Sequence, residues 1–164
     1  YEDALRRLSA TKWEAFEEQF YCVPRAQLAA QIFGLMGEKE RERENYESAL
    51  RYLEERIKAR PDDPPLHSAL GIAYAGLGLR DRAIRAAEKG VELMPVSKEA
   101  YRGIFRVKDV AQVYVMAGEY DKAFDQIEYL LSIPGELSVP LLKVDPVWAP
   151  LRSLPRFRRL VPKY

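Results

Sequence analysis

The sequence holds one cysteine, Cys22, and one histidine, His67. A single thiol excludes an internal disulfide and a cysteine-built metal site, and it leaves the redox compartment open. A single imidazole with no spaced partners excludes a histidine-built metal centre and a Ser–His–Asp type triad. There is no run of about 18 apolar residues, so this segment is not expected to contact a membrane by spanning it. Charge of one sign is missing too: 26 Lys and Arg meet 25 Asp and Glu, for a net charge of +1. Bulk electrostatics therefore give no reason to expect nucleic acid as a partner. Gly71, Gly76 and Gly78 lie in or beside helical segments with no strand before them, so they do not form a phosphate-binding loop. No cofactor is expected. No signal peptide opens the chain. It begins at Tyr1, without methionine and inside what reads as a helix (Glu2 to Leu8). That start reads as a piece of a longer polypeptide, or as a chain whose first residues lie outside it.

At 164 residues, one domain is the natural expectation, with about 70% of the unfolded surface available for burial. What is present is internal repetition. One copy reads His67-x2-Leu70-Gly71-x2-Tyr74, then Ala83, then Pro95. The next reads Val107-x2-Val110-Ala111-x2-Tyr114, then Ala123, then Pro134. Tyr74, Gly78, Asp81, Arg82 and Ala83 return forty positions later as Tyr114, Gly118, Asp121, Lys122 and Ala123. Small residues allow two helices to cross closely, and the tyrosines fill the space beside them. Gly78 and Gly118 suit a helix end with positive φ. Asp81 and Asp121 suit the start of the next helix, where a carboxylate meets the positive end of the dipole. The segments show helical periodicity and no strand-like alternation.

A further copy lies upstream. Ala26, Ala29, Ala30, Phe33 and Gly37 align with His67, Leu70, Gly71, Tyr74 and Gly78 at an offset of 41. Ala49, Leu50, Leu53, Ile57 and Pro61 align with Ala83, Ile84, Ala87, Val91 and Pro95 at an offset of 34. The difference is seven residues within Glu38 to Tyr46. Seven residues are about two helical turns, so they lengthen a helix while rotating its buried face by only about 20°. The expectation is one long helix over Lys39–Arg60, opening on a mixed-charge turn. That turn reads as a solvated face with local ion pairs, or alternatively as a docking edge. The third copy has six extra residues between Pro95 and Val107. The chain is expected to absorb them near Val96-Ser97 and Gly103, with Ser97 capping a helix over Lys98–Ala117.

These copies resemble the tetratricopeptide (TPR) pattern, with His67 where Trp is common and Ala87 where a bulky residue is common. The resemblance implies an all-α fold: a right-handed α-solenoid of about three TPR-like helical hairpins with a C-terminal capping segment. The expected layout is a remnant of a preceding helix and loop over 1–20 and a first hairpin with an elongated second helix over 24–61. A second hairpin follows over 64–95, a third over 97–134 and a lid over 136–164.

In the lid, Ser138 and Asp145 stand before proline-started helices, and Asp145, Trp148, Leu151, Phe157 and Leu160 are its expected structural residues. A solenoid's last hairpin otherwise exposes its stacking face. Burying an aromatic such as Phe157 contributes about 1.5–3 kcal/mol, and Trp148 as much or more. The stretch Leu142-Lys143-Val144-Asp145-Pro146-Val147-Trp148-Ala149-Pro150-Leu151-Arg152, followed by Pro155-Arg156-Phe157 and Leu160, resembles the end of a family of bacterial TPR proteins. In these, the array closes a multidomain chain that begins with a transcription-activator-like DNA-binding, nucleotide cyclase, protein kinase or TolB-like part. The resemblance runs from about Pro24 onward. Leu154 stands where that family carries an acid, which leaves Ser153 as the expected cap of the last helix. The resemblance implies a C-terminal signalling module, cytoplasmic or else extracytoplasmic behind a membrane segment outside this chain.

Catalysis is not expected. His67 takes a large-residue position of a first helix, Cys22 reads as a small buried hydrophobe, and Asp62-Asp63 before Pro64-Pro65 reads as an acidic turn. Arg152, Arg156, Arg158, Arg159 and Lys163 form a basic tail without an acid, expected to pair with helix C-termini and acids of the stack, or alternatively to meet an acidic partner or a phosphate backbone. The expected partner site is the concave groove, lined by Gln27, Gln31 and Leu35, by Ser68, Ile72 and Ala75, and by Lys108, Gln112 and Val115. It lacks a Lys/Arg cluster, which disfavours a carboxylate clamp for acidic chaperone tails. The expected partner is a protein, as a peptide or a helix, with a homodimer or a spacer role as the alternative.

Overall fold

The computed structural model describes residues 1–164. α1 (Glu2–Ser9) leads into a small antiparallel hairpin of β1 (Ala15–Glu17) and β2 (Cys22–Pro24). Three helical hairpins follow: α2 (Arg25–Met36) with α3 (Lys39–Ala59), α4 (Pro64–Gly76) with α5 (Arg80–Leu93), and α6 (Ala100–Met116) with α7 (Tyr120–Leu131). The tail holds α8 (Val139–Val144), a 3-10 helix (Pro146–Leu151) and α9 (Pro155–Leu160). The chain is all-α apart from the two three-residue strands. No helix is long and apolar enough to cross a membrane.

Each hairpin turns by the same device. Gly37, Gly78 and Gly118 adopt φ of 78°, 72° and 76°. Their N–H groups donate to the carbonyls of Gly34, Ala75 and Val115, and the next N–H groups donate back to Phe33, Tyr74 and Tyr114. This double closure satisfies the last carbonyls of the first helix, and its positive φ favours glycine. The hairpin helices then approach closely: a Cβ on Gly71 would lie 2.9 Å from the Ala87 Cβ and 3.1 Å from the Ala83 carbonyl oxygen.

Successive hairpins are joined by a repeated polar contact. The Tyr74 hydroxyl donates to Glu54 of α3 at 3.1 Å, and the Tyr114 hydroxyl to Glu88 of α5 at 2.7 Å. Arg82 and Lys122 lie over those rings, with Arg41 over Phe33 at 4.0 Å in the first hairpin. In the first hairpin the residue at that position is Phe33, which has no hydroxyl to donate. One cluster of 30 buried residues runs from Cys22 to Leu160.

Local structure departs from the sequence reading at three places. Residues 1–20 are not only helix and loop, because β1 pairs with β2 in the register Ala15↔Pro24, Phe16↔Val23 and Glu17↔Cys22. Three residues per strand are too few for alternation to be visible. Ser97 caps no helix: it lies in a turn, where the Lys98 and Glu99 N–H groups both donate to the Pro95 carbonyl, and α6 starts at Ala100. That turn folds onto Gly103, where a Cβ would meet Val96 backbone atoms at 2.9 Å. α9 likewise has no side-chain cap, with Leu154 rather than Ser153 at its N-cap position. Proline at its first position lacks the N–H that a cap would satisfy.

Candidate partner-binding groove

The first helices of the hairpins, α2, α4 and α6, carry the nine residues expected to line the concave face. Four of them, Gln27, Ser68, Ile72 and Val115, are buried. Gln31, Ala75, Lys108 and Gln112 are half-buried, and Leu35 is 47% exposed. Leu35 is one place out of register. Gly34 is the counterpart of Ala75 and Val115, and a Cβ on it would meet Glu42 Oε1 at 2.6 Å.

Part of the face is covered by the chain itself. The turn Glu18–Tyr21 is closed by the Glu18 N–H donating to the Tyr21 carbonyl at 2.8 Å. It lays Phe20 and Tyr21 against Phe105 of α6, with ring centroids 5.1 and 5.2 Å away. The Arg106 guanidinium, 1% exposed, donates to the Phe20 carbonyl and pairs with Asp109 at 2.9 Å. Burial pushes the Asp109 carboxyl above the usual carboxylate range, opposed by Arg106 and the Ser68 hydroxyl. Lys108 is held by Glu136 and lies 5.9 Å from the Tyr21 ring centroid, while the Tyr21 hydroxyl donates to Glu136 at 3.2 Å. Both cations of this stretch of α6 therefore have carboxylate partners within the chain. β1 is tied down separately: Glu17 accepts from the Tyr52 hydroxyl at 2.6 Å and pairs with Arg60 at 2.8 Å.

The C-terminal half of the face stays open as a groove of about 510 Å³. Gln31 and Leu35 of α2 and Gln112 and Val115 of α6 border it. Glu42 and Tyr46, from the first turns of α3, form a second wall, and Asp145, Pro146, Val147 and Pro150 of the tail form a third. Tyr46 is buried because Gly76 leaves room for it: a Cβ there would fall 2.3–2.5 Å from the ring. Gln27, Ser68, Ile72, Ala75 and Lys108 do not line this groove. Glu42, Tyr46, Tyr120 and the tail prolines were absent from the sequence-derived lining. The seven-residue offset near Glu42 was the only signal that pointed toward any of them.

The tail sits on the last hairpin. Trp148, Leu151, Phe157 and Leu160 are buried. Asp145 accepts from the Val147 N–H at 3.0 Å and caps the 3-10 helix. Arg156 pairs with Asp125 at 2.6 Å and Glu128 at 3.0 Å, and lies over the Phe124 ring. Arg152 donates to the Leu142 and Asp145 carbonyls at the end of α8.

Burial pushes the Cys22 thiol up to about 12, far from the thiolate that a nucleophile requires. His67 Nε2 lies 2.7 Å from the Pro61 carbonyl oxygen, at the turn between α3 and α4. No group of three or more His, Cys, Asp or Glu side chains is placed to hold a metal ion.

Comparison with known proteins bears on the repeat. The chain is 32% identical over 97 residues to the TPR-containing Hsp70-Hsp90 organizing protein 2 of Arabidopsis thaliana. This chain is a TPR-like helical repeat. The similarity supports a protein-interaction module in general. It covers 55% of this chain but 16% of the Arabidopsis protein, so the organizing role in that protein's name is its own. No family model matches the TPR-like chain, and no solved structure matches it.

Proposed function

We propose that this chain is a non-catalytic protein-interaction module that holds a peptide or helix of a partner in the open half of its concave groove. The observation that carries the reading is the groove itself. Three separate parts of the chain wall it, and apolar side chains there alternate with the amides of Gln31 and Gln112. Such a mixture of apolar surface and a few placed polar groups suits a binding site. The tail motif from Leu142 to Arg152 supports placing the module at the C-terminal end of a bacterial signalling or transcription-related protein, in the cytoplasm. A photo-crosslinking residue at Gln112 tests the reading, with one at exposed Glu55 as control. A partner captured from Gln112 and not from Glu55 is expected; equal capture from both would refute the groove as the site.

Self-association is a second reading, favoured by one feature. Ala4 and Leu8 of α1, Trp13, and Leu28 and Ile32 of α2 enclose an apolar cleft of about 480 Å³ beside Leu35. Sedimentation of the wild type against Trp13→Ser tests it. A concentration-dependent dimer that the substitution abolishes supports association through this end.

A further inference from the structure

We infer that the open groove selects a partner segment with an apolar anchor flanked by Lys or Arg, and rejects acidic segments. The inference rests on the groove being the partner site, as proposed above. Two features that depart from a plain repeat, the inserted turns of α3 and the tail, both wall this groove, and each brings a carboxylate. Glu42 comes from α3 and Asp145 from the tail, and no Lys or Arg lines the groove. Glu42 Oε1 lies over the notch left by Gly34. Its other oxygen pairs with Lys39 at 2.8 Å, but that lysine is 78% exposed and outside the lining. The Glu42 side chain is 20% exposed, and a pair whose cation stands in solvent is weak and easily exchanged for a better-placed cation.

The rest of the face supplies nothing for an acidic ligand. Arg106 and Lys108 are already paired with Asp109 and Glu136. An incoming carboxylate therefore meets Glu42 and Asp145 with no free cation, and like charges brought together select against it. The same lining holds Leu35, Met116, Val147 and the Tyr120 ring, with Val115 and Tyr46 almost fully buried, a surface for one or two bulky apolar side chains. Gln31 of α2 and Gln112 of α6 present amides that can donate to and accept from a bound backbone. A cation flanking the anchor then finds Glu42 or Asp145 in the same lining.

Selection of displayed random 12-residue peptides on the full chain tests this, with the recovered peptides resynthesised. Gln112→Trp and Gln31→Trp are two independent groove-filling variants, each checked for helicity. The expected result is a set of peptides with Lys or Arg around an apolar residue, whose binding both variants abolish. Reversing their flanking charges is expected to weaken binding about tenfold, and Glu42→Gln to shrink that preference. Groove-dependent peptides with acidic or uncharged flanks would overturn the charge selectivity and leave the groove reading standing. Peptides indifferent to both filling variants, or no peptides at all, would overturn the groove reading and this inference with it.

Discussion

Trp148→Ala is the sharpest test of whether the tail closes the stack. Trp148 is 2% exposed and among the largest fully buried side chains. Its 3-10 helix packs on α6, and α9, which follows, packs on α7. Truncating a buried Trp to Ala costs about 3–5 kcal/mol, from the lost transfer free energy and the cavity left behind. For a chain of this size that corresponds to a fall in Tm of roughly 6–20 °C. The indole Nε1–H has no hydrogen-bond partner, so no bond is lost with it. Trp148→Phe should therefore cost clearly less than Trp148→Ala, because it removes a buried unpaired donor, itself a penalty of about 1–3 kcal/mol, while keeping most of the apolar area. Urea titration followed by circular dichroism separates global from local loss. A lid that is part of the cooperative unit lowers the midpoint at constant m, whereas a tail that frays separately lowers m. A loss below about 1 kcal/mol for Trp148→Ala would refute the lid. Costs equal for Ala and Phe would refute the account of the indole N–H.

Three further outcomes are expected. Arg106→Met should destabilise by about 3–5 kcal/mol, because it strands the buried Asp109 carboxylate; in a double-mutant cycle, adding Asp109→Leu should recover a large part of that loss. Glu17 is held below the usual carboxylate range, chiefly by the Tyr52 hydroxyl and then by Arg60. Its contribution is complete above the unfolded value near 4.3 and is lost as pH falls through the folded value, so hydrogen-exchange protection of Phe16 and Val23 should fall with acidification in the wild type and lose that dependence in Glu17→Gln. Tyr114→Phe should cost about 0.5–1.5 kcal/mol by denaturant titration, because it removes the 2.7 Å bond to Glu88; no loss would show that the link between α5 and α6 is apolar alone.

The covered half of the groove shows where reading residues along a helix stops working. Gln27, Ser68 and Ile72 sit at register positions that face the concave side of their helices. A helical register reports direction about the helix axis, and nothing about what a distant segment lays over that direction. Glu18–Tyr21 is more than eighty positions from Phe105 and Arg106 in the chain, and its strands are too short to announce themselves. The same limit hid Pro146 and Pro150, which border the groove because the tail packs back on α6.

What the sequence determined by itself is what neighbours within about ten residues decide. Glycine at 37, 78 and 118 ends a helix, alanine facing Gly71 sets a close crossing, and the recurrence of Tyr74 as Tyr114 marks a repeat. These depend on backbone freedom and side-chain volume within one hairpin, and helix formation is a local event. Tertiary structure alone decided which half of the concave face is open and what charge it shows. That outcome follows from burial and pairing between remote segments: Arg106 and Lys108 are spent on Asp109 and Glu136, while Glu42 and Asp145 are brought to the same groove from opposite ends of the chain.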